Sequence, residues 1–217
     1  YKGGGYMSVR VHIAETAFMS ILVTAIESFP SKYVGKRKLS KSLPEGEVYG
    51  LLFGQRINKK DDVIYHVTIA IPMQMLLEKK VDQVSPSVRH LERIKSVIEA
   101  YPMYQFLGTF HSHPSHKQEY YGVKSSIFSD ADEERALNDA AMMGEEIIEV
   151  IIGVTSLSKK VKKEPDIRWS SIQNYCGNFK YSLSAYITDA DEKRLREVDN
   201  LICPFAAGVG NYDLISQ

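Results

Sequence analysis

Gly108-Thr109-Phe110-His111-Ser112-His113-Pro114 is the stretch on which the reading of the whole chain turns. It closes a run from Tyr104 to His113 that has the character of a strand. A strand sends side chains at i and i+2 to one face. His111 and His113 therefore project together, with β-carbons roughly 6–7 Å apart. Downstream, Ser129-Asp130-Ala131-Asp132 opens a helical pattern that runs to about Met143, where Gly144 supplies the stop. Upstream, Glu47 begins another apolar run, Glu47-Val48-Tyr49-Gly50-Leu51-Leu52-Phe53-Gly54.

The elements around these stretches follow from periodicity. Ser8 to Ile13 alternates Val9, Val11 and Ile13 with polar residues, as a strand does. Residues 15–29 carry Phe18, Ile21, Leu22, Ala25 and Phe29 at helical spacing, and Pro30 stops them. Residues 31–46 read as a long, basic, solvated loop. A strand from Glu47 to Phe53 leads through a connection over Gly54–Asp62 to a β-branched strand, Val63–Ile71. Ser85-Pro86 reads as an N-cap and first residue of a helix ending near Pro102. After the strand Tyr104–His113, residues 114–128 form a polar loop. Glu146–Val154 is almost entirely apolar and reads as a central strand buried on both faces. Ser156–Asp166 is a basic loop, and Ile167–Gln173 and Phe179–Thr188 are two further strands. Asp189 is expected to cap a last helix carrying Leu195, Val198, Leu201 and Ile202. The tail 205–217 has no assignment. The order predicts a mixed α/β sheet packed between helices.

At 217 residues, with 44% hydrophobic and 25% charged residues, the chain has material for one globular core. Residues 1–6, Tyr1-Lys2-Gly3-Gly4-Gly5-Tyr6, read as an expression remnant, leaving 7–217 as a single domain with an inserted loop at about 114–128. The formal net charge is zero, so no overall field points to nucleic acid or to a membrane surface. No apolar run approaches the roughly 20 residues that span a bilayer, and no secretory signal is visible. Cys176 and Cys203 form neither a CxxC nor a disulfide framework, which fits reducing, cytoplasmic conditions.

Two imidazoles on one strand face can converge on a single zinc ion at about 2.0–2.1 Å. A catalytic zinc needs three protein ligands and one open position. Asp132, in the first helical turn and facing the strand end, is the expected third ligand beside His111 and His113. Zinc lowers the pKa of bound water from 15.7 toward roughly 7. Glu47, a carboxylate on a neighbouring strand, is the candidate general acid/base. Ser129 is the candidate donor to the oxyanion that forms on the attacked carbonyl.

Each piece alone has a plainer meaning. An isolated HxH is common, Ser129-x-x-Asp132 is also an ordinary capping box, and Glu47 alone would be a strand-edge carboxylate. His116 extends the pattern to His111-x-His113-x-x-His116, as in metallo-β-lactamases. That motif wants Asp where Ser115 stands and an adjacent Asp-His pair that is missing, so His116 reads as a loop residue. A zinc deaminase would need H-x-E and P-C-x-x-C, and neither cysteine sits in such a motif.

Taken in order, Glu47-x-x-Gly50-x-Leu52-x-Gly54, Gly108-x-Phe110-His111-Ser112-His113-Pro114 and Ser129-x-x-Asp132 resemble the JAMM/MPN (Mov34/MPN/PAD-1) zinc metalloprotease family, in a prokaryotic-type form. The resemblance covers roughly residues 8–155 and is looser beyond. It implies the MPN/JAMM fold, a mixed curved β-sheet between helices that is cytidine-deaminase-like. It implies His111, His113 and Asp132 as Zn2+ ligands, Glu47 as general acid/base and Ser129 as the oxyanion-stabilising serine. The implied activity is hydrolysis of a peptide or isopeptide bond at the C-terminal tail of a ubiquitin-like protein, with conjugation-type enzymes as neighbours in function. The alternative is a non-catalytic MPN scaffold that binds partner proteins. One departure stands out: fifteen residues separate His113 from Ser129, more than the family places there. Loop-closure entropy grows slowly with length, so the insertion leaves the ligands free to converge.

Overall fold

Val9, Val11 and Ile13 turn to one side of strand β1 (Ser8–Ile13) and are buried there. Helix α1 (Glu15–Glu27) buries Ala17, Phe18, Ile21, Leu22 and Ala25, the stripe its sequence carries. The computed structural model describes residues 7–29, 33–34, 37–38, 47–73, 76–79, 84–86, 88–115, 126–189 and 193–208. Residues 1–6, His116, most of the inserted loop and the tail from 209 lie outside them, as does most of the basic loop 31–46. Within that loop two short strands pair, β2 (Tyr33–Val34) and β3 (Arg37–Lys38).

Strand β4 (Tyr49–Asn58) pairs antiparallel with β5 (Asp62–Pro72). The connection expected over Gly54–Asp62 is therefore shorter. Gln55 to Asn58 stay in the ladder, and Gly54 marks a bulge at which Thr68 is the extra residue. A Cβ on Gly54 would lie 1.9 Å from the carbonyl oxygen of His66, so this close approach accepts no side chain. Strands β6 (Leu76–Lys79) and β7 (Val84–Pro86) form a hairpin. Ser85 and Pro86 are thus strand residues and do not open helix α2 (Val88–Glu99) as expected. Pairing with β6 holds them extended, and proline is tolerated on so short a strand.

Strand β8 (Gln105–Ser115) leads to helix α3 (Asp130–Met143) and on to β9 (Ile148–Ser156), which lies parallel to β8. Every β9 residue from Ile148 to Thr155 is buried, as expected of a central strand. Strands β10 (Asp166–Ile167), β11 (Ser171–Cys176) and β12 (Phe179–Asp189) complete an antiparallel meander. The final helix does not form. Its residues make β13 (Arg194–Glu197), antiparallel to β12, and β14 (Asn200–Ile202), parallel to β1. Leu195, Val198 and Leu201 still face the interior. A three-residue apolar spacing fits a helix, but the open edge of β1 offers backbone partners that propensity cannot foresee. The Asp199 carboxylate, expected on a helix, instead accepts the Val9 N–H at 2.7 Å.

The main sheet runs β10-β11-β12-β9-β8-β4-β5-β1-β14, mixed and curled, with β13 beside β12. Helix α1 covers one face, where Phe18, Ile21 and Leu22 pack with Val11, Val67, Val150 and Leu183. Helices α2 and α3 lie on the other, where Ile94, Ile98, Ala140 and Met143 pack against Tyr49, Leu51, Phe53 and Phe106. No helix among the described residues is long and apolar enough to cross a membrane.

Candidate metal centre

The orientation of the two histidines is set by Gly108. Phe106 packs on the α2/α3 side of the sheet, while Leu107 and Phe110 both pack on the α1 side. Strict alternation cannot place 107 and 110 on one face. The register against β4 shifts here, with Gly108 at φ 150°. A Cβ on this glycine would lie 1.9 Å from the Ile148 carbonyl oxygen. The irregularity turns Thr109, His111 and His113 toward α3.

Helix α3 brings Asp132 to meet them. Ser129 is its N-cap: Ser129 Oγ accepts from the Asp132 N–H, and Asp132 Oδ2 accepts from the Ser129 N–H at 2.8 Å, a capping box. The Ser129 hydroxyl also donates to Asp132 Oδ2 at 2.7 Å. His111 Nε2 and His113 Nε2 lie 2.9 Å apart. Asp132 Oδ1 is 3.2 Å from His111 Nε2, and Oδ2 is 3.3 Å from His113 Nε2. Donors at 2.0–2.1 Å from a tetrahedral ion are separated by about 3.3 Å. The three groups thus stand at nearly the spacing that a single ion imposes. His111, His113 and Asp132 form a largely buried group that can hold a metal ion.

Glu47 stands beside this group. The pairing Tyr49↔His111, continued two residues, sets Glu47 across from His113, and Glu47 Oε1 lies 3.8 Å from His113 Nε2. Ser112, between the histidines, fixes that approach: its Oγ accepts the Val48 N–H at 2.9 Å and its own N–H donates to the Val48 carbonyl. Burial pushes the Glu47 carboxyl up from its ordinary value, against the pull of His111 and His113, and the Asp132 charge adds to the rise. Burial works against the Asp132 charge as well. There the hydrogen bonds from His111 and His113, with the Ser129 N–H, prevail and hold the carboxyl well below the usual range.

No protein-family model matches the chain, and no curated protein matches it in sequence.

Beneath the three candidate ligands lies a polar cluster that the motif reading omitted. Glu149 of β9 is fully buried, with Oε1 2.5 Å from His111 Nδ1 and Oε2 accepting the Thr109 hydroxyl. Arg135, one helical turn after Asp132, reaches Asp132 Oδ1 at 3.1 Å and Glu149 Oε1 at 3.0 Å, over the ring of Tyr49. The Tyr49 hydroxyl donates to Asp139 at 3.1 Å. Burial disfavours the Glu149 charge, but Arg135 and the His111 hydrogen bond lower its pKa overall. His111 is held above its ordinary value: burial and Arg135 oppose this, and the bonds to Asp132 and Glu149 outweigh them. One signal was present in the sequence. Glu149 is a lone carboxylate inside the apolar run Ile147-Ile148-Glu149-Val150-Ile151-Ile152, and a charge buried on a central strand needs partners.

Proposed function

We propose that this chain is a zinc-dependent hydrolase of the JAMM/MPN type, acting on a peptide or isopeptide bond at the tail of a ubiquitin-like protein. The observation that carries the reading is the convergence of His111, His113 and Asp132 at ligand spacing, with Glu47 beside them and outside the ligand set. Two imidazoles and one carboxylate are a donor set that suits zinc and leaves a fourth position for substrate or water. When bound, the ion would supply Lewis-acid polarisation of the scissile carbonyl and a water made acidic enough to attack near neutral pH.

The chain's own groups supply the rest. Glu47 takes the proton from the attacking water and passes it to the leaving amine nitrogen. Its raised pKa suits a group that must both accept and return a proton. Ser129, whose hydroxyl donates to Asp132 Oδ2, must turn that hydrogen toward the developing oxyanion to take part. The resemblance of three sequence segments to JAMM proteases is what suggests the substrate class, a peptide or isopeptide bond at a ubiquitin-like tail.

The test is cleavage of ubiquitin-like fusions and isopeptide-linked conjugates, with and without a zinc chelator. Glu47→Gln is expected to bind zinc as the parent protein does and to lose about 10²–10⁴-fold in kcat. Full activity in that variant would remove Glu47 from the chemistry. One equivalent of bound zinc without hydrolysis of any such conjugate would favour the scaffold.

A further inference from the structure

We infer that Glu149 is the positioning residue that makes His111 a metal ligand, by fixing the hydrogen of its ring on Nδ1. The inference rests on the metal-centre reading and on nothing about the substrate. Glu149 Oε1 sits 2.5 Å from His111 Nδ1. At that distance two bare lone pairs would repel, so a hydrogen lies between them, and Glu149 stands as the acceptor, since its oxygens also take hydrogens from Thr109 and Arg135. In the neutral ring that ligates an ion, Nδ1 therefore keeps its hydrogen, and Nε2, which faces His113 and Asp132, is the nitrogen freed to bind. The opposite tautomer would place a hydrogen where the ion must bind.

Glu149 has no freedom to turn away. Oε2 accepts from Thr109 Oγ1, and Oε1 also accepts from Arg135 Nη2 at 3.0 Å. Arg135 Nη2 lies 2.9 Å from His111 Nδ1 too, but it has a nearby carboxylate oxygen for its hydrogen. The same guanidinium holds Asp132 through Nη1 at 3.1 Å. One half-buried cation thus ties together the carboxylate that orients a candidate ligand and the carboxylate that is itself a candidate ligand. The register of parallel strands makes this possible: Thr109 pairs with Glu149, and His111 is the next residue on that face. Outer carboxylates of this kind raise the basicity of a ligating imidazole as well as aim it.

Zinc affinity, measured by competition with a chromophoric chelator, tests the inference without reference to hydrolysis. Glu149→Gln keeps the shape and loses the charge, and its affinity is expected to fall on the order of 10- to 100-fold. Long-range ¹H–¹⁵N spectra of the zinc-loaded parent should show His111 protonated at Nδ1 and ligated through Nε2. Wild-type affinity in Glu149→Gln, or His111 ligated through Nδ1, would overturn the inference. Should that variant not fold, Thr109→Val reads the same device by releasing Oε2. A several-fold loss of affinity supports the role and an unchanged affinity removes it. A parent protein that binds no zinc removes the metal centre and this role with it. Absence of protease activity beside normal zinc binding would sink only the proposed reaction.

Discussion

At the scale of single residues, the site is an arrangement of charges that partly cancel in a buried place. Ser129 caps α3 and is proposed to meet the oxyanion, and the two roles can be separated. Ser129→Ala removes the hydroxyl that caps α3 and is expected to cost about 1 kcal/mol of stability. If Ser129 also meets the oxyanion, kcat should fall on the order of 10²-fold. Chemical denaturation and kinetics on the same variant decide this, and a stability loss with unchanged kcat would leave Ser129 as a helix cap alone. Asp139 makes a prediction about pH. Its carboxyl is pushed from 3.8 up to about 6, by burial first and by the Glu149 charge second. An acid raised in the folded state contributes stability that is fully present below 3.8 and is lost as pH rises through about 6. The loss amounts to about 3 kcal/mol. Asp139→Asn cannot ionise and still offers an acceptor to Tyr49. It should be more stable than the parent at pH 8, with the advantage gone near pH 4. An equal difference at both values would show that Asp139 carries no such dependence.

At the scale of elements, the decisive feature is an irregular strand. Plain alternation through Tyr104–His113 correctly puts His111 and His113 on one face, because they are two apart and follow Gly108. It does not say which face. That is fixed where Gly108 shifts the register against β4. Gly108→Ala brings a Cβ against the Ile148 carbonyl at a φ that favours glycine, and should destabilise by roughly 3 kcal/mol or more. Urea denaturation of the metal-free variant measures this. A cost below about 1 kcal/mol would mean that the strand relaxes without strain. Helix α3 was legible end to end: Ser129 caps it, Gly144 ends it in the left-handed region, and Asp132 faces inward. Strands β13 and β14 were not. Leu195, Val198 and Leu201 report burial, and burial alone does not distinguish a helix lying on a core from strands added to a sheet.

At the scale of the molecule, three candidate ligands from β8 and α3 and the candidate base Glu47, just ahead of β4, meet where α3 crosses one face of the sheet. Holding them apart from a metal leaves two imidazoles and a carboxylate crowded within one small volume. Zinc should therefore stabilise the whole fold. At a free concentration near 100 times Kd the gain is about 2.7 kcal/mol, or roughly 5–10 °C in Tm for a chain of this size. Calorimetry with and without a chelator reads it. A Tm indifferent to zinc would mean that the ion binds weakly or binds the unfolded chain equally well.

The sequence by itself determined which three side chains converge as candidate ligands and which carboxylate stands beside them. Residue type and i, i+2 spacing are local facts, and so are a serine cap and an aspartate in the first turn of a helix. Glu149 and Arg135 escaped it because their meaning lies in what they touch: an acid within an apolar strand and a cation within a polar helix look unrelated until β9 lies parallel to β8. The tertiary structure alone decided which face the histidines take, which buried carboxylate meets His111 and which strands close the sheet beside β1. Those outcomes depend on backbone register and on partners distant in the chain, and no local pattern of side chains encodes them.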